Sequence, residues 1–148
     1  MATVKHLVSV KGDGTNYAVA STDTVLKALE IMAEENISAI MVTENDKVVG
    51  IFTERDYSRK CELKRLSAES TPVREVMTEQ MMTITKKTSI DQCMKLMNQY
   101  HIRHLPVIEN DTMVGMVSMR DVVDTLLSEQ ESTISGLENY ILSSGFAM

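Results

Sequence analysis

The sequence predicts an α/β (α+β) protein made of two pseudo-symmetric β-α-β-β-α repeats. The first sign is internal similarity. Shifted by 65 residues, positions 25–58 lie over 90–123 without a gap, and ten of the 34 pairs are identical, where chance gives about two. The second sign is periodicity: in each copy a helical spacing of apolar residues gives way to two short apolar runs around a polar turn. The third is length. At 148 residues the chain makes one compact domain or two small ones sharing a core, and falls short of a (β/α)₈ barrel of roughly 250 residues.

Each copy opens with a short strand, clearest at Met82-Thr83-Ile84-Thr85, with Tyr17-Ala18-Val19-Ala20 as its counterpart. A helix follows. Val25, Ala28, Leu29 and Met32 recur at helical spacing, as do Ile90, Cys93, Met94 and Met97. Asp23 and Thr88 are the expected N-caps, with Thr88 and Asp91 forming a capping box. The helices end near Asn36 and His101. Next come Ala39-Ile40-Met41-Val42 and Leu105-Pro106-Val107-Ile108, then Glu-Asn-Asp at 44–46 and 109–111, a turn cluster. The second runs, Val48 to Phe52 and Met113 to Val117, complete antiparallel hairpins. A second helix opens at Thr53 or Ser118. The polar stretch 60–72 reads as a linker, and Thr71-Pro72 as the N-cap and first residue of a short helix reaching Met77. The expected boundaries are 8–62 for the first repeat, 63–75 for the linker and short lead-in helix, 76–130 for the second repeat, and 131–148 for a helical tail.

Composition narrows the function. The formal net charge is -6, from 15 Lys+Arg against 21 Asp+Glu, which disfavours nucleic acid as a partner. Aromatic residues make up 4% and tryptophan is absent, whereas methionine numbers 12. A methionine-rich core or a plastic interface accounts for that bias. Cys61 and Cys93 make neither a disulfide framework nor a four-ligand zinc site, and a reduced cytoplasmic interior is the simpler reading. No export signal is evident, and no stretch nears the roughly 18 apolar residues of a membrane span.

After each hairpin the same motif stands: Gly50-Ile51-Phe52-Thr53-Glu54-Arg55-Asp56 and Gly115-Met116-Val117-Ser118-Met119-Arg120-Asp121. Together with His101-Ile102-Arg103-His104-Leu105-Pro106-Val107, this pattern resembles the CBS domain, the module named after cystathionine β-synthase. The resemblance runs from about residue 8 to residue 128. It implies a stand-alone tandem pair, packed through its sheets, of a class that often binds adenosine-containing ligands and often dimerises through its helices.

Read without the family, Thr53-x-x-Asp56 and Ser118-x-x-Asp121 are capping boxes. The same geometry also suits a ligand: a hydroxyl donates to a phosphate oxygen, and a carboxylate accepts from two ribose hydroxyls. The resemblance gives Thr53 and Ser118 the phosphate, and Asp56 and Asp121 the ribose. Arg55 and Arg120 sit in a first helical turn, where a cation opposes the helix dipole by about 0.3–1 kcal/mol. Either an anion or nearby carboxylates neutralise them. Arg103 and His104 precede the second hairpin, where basic residues in the family meet phosphates; His104 is otherwise a surface or hydrogen-bonded histidine. The first copy has Ser38 and Ala39 there, so the two sites should differ. Ile51, Met116 and Val117 are candidate walls for adenine. Lys11, in Lys11-Gly12-Asp13-Gly14, is a further candidate for a phosphate. The basic run Arg55, Arg59, Lys60, Lys64 and Arg65 is either a solvated face or a route to outer phosphates.

The tail repeats Ile134, Leu137, Tyr140 and Ile141 at three- and four-residue spacing, and Gly136 should interrupt it. Its apolar stripe calls for burial against its own domain or another subunit. The function expected is a non-catalytic regulatory sensor of AMP, then ATP, then NAD, with no metal. It would act as a homodimer on an unidentified regulated protein, away from membranes. The alternative is a structural dimerisation module with degenerate sites. Catalysis has no support in either cysteine's context, and nucleic-acid binding is a distant further reading.

Overall fold

The structure is a computed structural model that describes residues 2–11 and 17–143. Its elements run α1 (Val4–Lys11), β1 (Ala18–Ala20), α2 (Val25–Glu34), β2 (Ala39–Glu44), β3 (Lys47–Thr53), α3 (Glu54–Asp56), a π-helical continuation (Tyr57–Glu62), a 3₁₀ turn (Val73–Glu75), α4 (Ile90–Tyr100), β4 (His104–Glu109), β5 (Thr112–Ser118) and α5 (Met119–Ser143). One sheet has the order β1-β2-β3 and the other pairs β4 with β5.

The hairpins follow from their turns. Asn45 and Asp46 have φ of 51° and 65°, Asn110 and Asp111 of 51° and 62°. Two consecutive left-handed residues in a two-residue loop match the right-handed twist of the strands, and Asn and Asp tolerate that region. Each hairpin carries a bulge at the same place, between Val42 and Thr43 and between Val107 and Ile108. Both first helices end as expected, with Asn36 at φ 55° and His101 at φ 54°.

The caps stand one residue later than expected. Thr24 caps α2 by accepting from Lys27 N–H. Ser89 caps α4, in a box with Gln92. Asp23 and Thr88 instead close the preceding turn, accepting from Ala20 and Thr85 N–H at 2.9 and 3.1 Å. Pro72 likewise caps the 3₁₀ turn rather than starting a helix.

The opening strand is real in the first copy and reduced in the second, the reverse of the expected clarity. β1 pairs parallel with β2 over three residues, whereas Ile84 makes only an isolated bridge to Val107. Proline explains the difference. Met41 N–H donates to Tyr17 O at 3.4 Å, but the matching position is Pro106, which has no N–H to give.

Each repeat has its own core. In the first, Val25, Ala28 and Met32 of α2 meet Ile40, Val42 and Phe52. In the second, Ile90, Cys93 and Met97 of α4 meet Leu105, Val107 and Val117. A third cluster joins the repeats through their sheets: Ala39, Met41 and Ile51 pack against Met113 and Met116. Strand alternation explains the split, since β2 sends Ile40 and Val42 to its helix and Ala39 and Met41 to the other sheet.

The segments ahead of each repeat are exchanged. Val73 and Val76, just before the second repeat, fill the first repeat's core. Val4 and Leu7 of α1, ahead of the first repeat, fill the second's. The backbone bonds match: Val73 and Arg74 N–H donate to Asp23 and Ser21 O, as Val4 and Lys5 N–H donate to Thr88 and Lys86 O.

α5 continues through Gly136 without a break. A lone glycine costs a helix only about 1 kcal/mol. Ile134, Leu137, Tyr140, Ile141 and Leu142 on its far half are all exposed.

Candidate functional site

Two clefts lie side by side where the repeats meet. The larger, of about 720 Å³, is lined by Ser118, Arg120, Met116 and Met119 of the second repeat and by Tyr17, Asn36, Ile37 and Ala39 of the first. The smaller, of about 370 Å³, is lined by Ile51, Thr53, Arg55 and Asp56, with Thr78, His101 and Ile102. Both volumes fall in the range of small-molecule sites, about 300–1,000 Å³. Ser38, Glu54, Arg103 and His104 line both clefts. Ser38 Oγ and His104 Nε2 share a hydrogen bond at 2.9 Å, which forms the wall between them.

The two motifs are capping boxes in fact as well as in pattern. Thr53 N–H donates to Asp56 Oδ2 at 3.0 Å, and Asp56 N–H to Thr53 Oγ1 at 3.1 Å. In the second copy Ser118 N–H donates to Asp121 Oδ2 at 2.8 Å, and Asp121 N–H to Ser118 Oγ at 3.1 Å. The boxes hold both hydroxyls at the start of a helix, on the cleft walls. Asp121 stands behind Ser118 and is not part of either cleft lining.

Asp56 is buried, 6% exposed. Its Oδ1 accepts from the Thr78 hydroxyl at 2.9 Å and from the Lys60 ammonium at 3.0 Å. Lys60 Nζ also donates to Thr78 Oγ1 at 3.2 Å and to Met77 O at 3.4 Å. Lys60, Arg59, Lys64 and Arg65 of the basic run are all exposed, but the Lys60 ammonium is tied back to Asp56 and Thr78. Thr78 is fixed by paired backbone bonds with Ile51, at 2.8 and 2.9 Å. Gly50 permits this crossing: a Cβ there would come within 2.6 Å of Met77 Sδ and 3.0 Å of Thr78 O.

Arg55 has found a partner that the sequence does not suggest. Its Nη1 donates to His101 O at 3.5 Å, at the C-terminal end of α4, where a cation suits the helix dipole. Arg120 and Asn36 are the matching pair, and both line the larger cleft. Tyr17 is tied to Glu35 at 2.7 Å, and that bond, with some burial, raises its phenol pKa.

Of the residues singled out from sequence, Ile51, Thr53, Arg55 and Asp56 come together in one cleft, and Met116, Ser118 and Arg120 in the other. Arg103 and His104 serve both. Val117 does not reach either: it is fully buried in the second core, because neighbouring strand residues face opposite ways. The Lys11 side chain and Gly12-Asp13-Gly14 lie outside the described residues. Sequence reasoning misses Thr78 and Glu54, and notes Ser38 only for lacking charge. Thr78 has a faint signal: Val73-Arg74-x-Val76-Met77-Thr78 echoes Val4-Lys5-x-Leu7-Val8-Ser9, at a shift of 69 rather than 65. Among the described residues no group of three His, Cys, Asp or Glu is placed to hold a metal ion, and no helix is long and apolar enough to cross a membrane.

Comparison with known proteins agrees with this architecture. The CBS domain family model matches twice, over residues 5–62 and 73–128. A CBS domain-containing protein of Arabidopsis thaliana, CBSX3, described as mitochondrial, is 37% identical over 147 residues, covering 94% of this chain and 71% of that protein. A structure described as a putative signal-transduction protein with CBS domains, from Burkholderia ambifaria, has a TM-score of 0.82 at 37% identity, covering 87% of this chain and 96% of that one. Two more distant structures share the fold and carry ligands. A protein from Pyrobaculum aerophilum, complexed with AMP, is 20% identical with a TM-score of 0.71, covering 81% of this chain and 89% of its own. The domain pair of protein MJ0100, with 5′-methylthioadenosine and S-adenosyl-L-methionine, is 22% identical with a TM-score of 0.76, covering 87% and 98%.

Proposed function

This chain belongs to the CBS-domain family, and from that premise we propose that it is a non-catalytic sensor of adenosine-containing phosphate esters, AMP before ATP or NAD. The observation that carries this reading is the shared wall, Arg103 and His104, flanked by a hydroxyl-bearing helix start in each cleft. Thr53 and Ser118 are the residues for phosphate oxygens, Asp56 for the ribose hydroxyls, and Ile51 and Met116 for the adenine face; Asp121, expected at a ribose, lies behind the cleft wall and holds Ser118 in place. Arg120 faces the larger cleft. Arg55 contributes through its hold on the end of α4. The distant relatives that bind AMP and S-adenosylmethionine support an adenosine ligand. The cationic wall favours the phosphate over the sulfonium, since a sulfonium gains nothing from Arg103. Ligand binding would regulate a partner protein by its different affinity for two arrangements of the repeats.

A dimerisation role is favoured by one observation, the exposed apolar row of Ile134, Leu137 and Ile141 on α5. We read it as the contact of a homodimer, which sedimentation of the wild type and of Leu137→Lys would test. Buried, unbridged Cys61 and Cys93 support a reducing interior; the cytoplasm is our reading, and the plant relative shows that an organelle serves such a protein too.

The deciding experiment is thermal unfolding with AMP, ATP, NAD, adenosine and S-adenosylmethionine. A ligand at a hundredfold its Kd adds about 2.7 kcal/mol, or roughly 5–10 °C at this size. AMP should give the largest shift, and Arg103→Ala should abolish AMP's advantage over adenosine. No shift with any of the five, in a folded dimer, would leave the dimerisation module as the function.

A further inference from the structure

In the smaller cleft the motif carboxylate is engaged by a lysine. Asp56 Oδ2 accepts one backbone N–H, and Oδ1 accepts both the Thr78 hydroxyl and the Lys60 ammonium. A carboxylate offers about four acceptor sites, two to an oxygen. Oδ1 is therefore full. A vicinal diol binds a carboxylate by giving one proton to each oxygen, so it cannot engage Asp56 until a donor leaves Oδ1. Thr78 is not that donor, since two backbone bonds to Ile51 hold it across Gly50. Lys60 is: its side chain is 44% exposed and on a flexible stem.

We propose that Lys60 is a latch on the sugar subsite of the smaller cleft, and that a nucleoside binds there by displacing the Lys60 ammonium from Asp56. The inference rests on the adenosine reading above and assigns a positioning role that the motif does not contain. Position 125 corresponds to 60 and holds threonine, whose hydroxyl donates to Asp121 O at 2.8 Å. The second motif therefore lacks a lysine one turn along its own helix. Release of the ammonium also leaves a free cation one helical turn from Asp56. That outcome suits a ligand bringing an anionic group and disfavours a neutral nucleoside.

The test uses the full chain with methyl-labelled isoleucine and methionine, reading Ile51 for the smaller cleft and Met116 for the larger. Wild type and Lys60→Met are titrated with adenosine and with 2′,3′-dideoxyadenosine, which lacks the diol. Removing one competing hydrogen bond should lower the adenosine midpoint at Ile51 about fivefold in Lys60→Met. The dideoxyadenosine midpoint at Ile51 and the adenosine midpoint at Met116 should stay put. An Ile51 midpoint for adenosine that is unchanged or weaker overturns the latch, as does an equal gain for dideoxyadenosine. If neither methyl responds to adenosine or AMP in either protein, the adenosine reading falls, and the latch with it.

Discussion

The first and second repeats share a hairpin, a bulge and a capping box, but they close their cores by different means. The first has a full third strand, β1, and a lead-in that is only a 3₁₀ turn. The second has a single bridge at Ile84 and a lead-in of two helical turns, α1. Proline at 106 removes a ladder bond from the second sheet, and α1 supplies Val4 and Leu7 to that core. The comparison teaches that pseudo-symmetry constrains the backbone path more than the source of the buried surface.

Positions 52 and 117 offer the largest way to break the equivalence. Phe52 and Val117 are both fully buried, one in each core. Phe52→Ala should cost about 3–5 kcal/mol, through lost transfer energy and the cavity left behind. Val117→Ala removes two carbons and should cost roughly 2 kcal/mol. Urea unfolding of both variants measures the gap, and equal costs would show that the first core collapses around the lost ring and leaves no cavity.

A smaller effect separates the helix caps. Thr24 caps α2 with one bond, whereas Ser89 caps α4 in a reciprocal box with Gln92. Each alanine substitution should destabilise by about 1 kcal/mol, and Ser89→Ala by the smaller amount, because the backbone N–H of residue 89 still donates to Gln92 Oε1 and holds the start of α4. Melting temperatures of the pair test the order.

The smallest effect is nil at neutral pH and grows in alkali. Burial raises the Cys61 thiol pKa, with Glu62 adding to it, and raises that of Cys93 to about 11 from its ordinary 9.0. A thiol whose pKa is higher folded than unfolded stabilises fully below the unfolded value. That contribution is lost as pH rises through the folded one. Stability should therefore fall between pH 9 and about pH 11, and Cys93→Ala should flatten that decline. Measuring unfolding free energy against pH in both proteins decides it.

Much of this architecture is legible in the residues alone. The Asn-Asp turns, the two capping boxes and the helix ends at Asn36 and His101 each rest on residue types with one favoured conformation, so the pattern suffices. The helix starts are less so. Asp23-Thr24 and Thr88-Ser89 each offer two good caps in a row, and only the preceding turn decides which is used. The site residues emerge as a set, but not their division between clefts, because each cleft draws walls from both repeats. Lys60 reads as one of a solvated basic run; nothing local says that it faces a threonine eighteen residues on. α1 escapes sequence reasoning, since its kinship with residues 73–78 lies at a different shift and is short.

The exchange of lead-ins has a consequence for how the chain is made. A ribosome delivers α1 before either repeat, yet its partner core is completed only when Val122 emerges. At about 5–20 residues per second that is a wait of roughly 6–24 s. Over that interval the first repeat acquires everything it needs, because residues 73–76 follow it directly. α1 is thus made before the first repeat but finds its place after it, and the second repeat matures only around a segment born before its sibling.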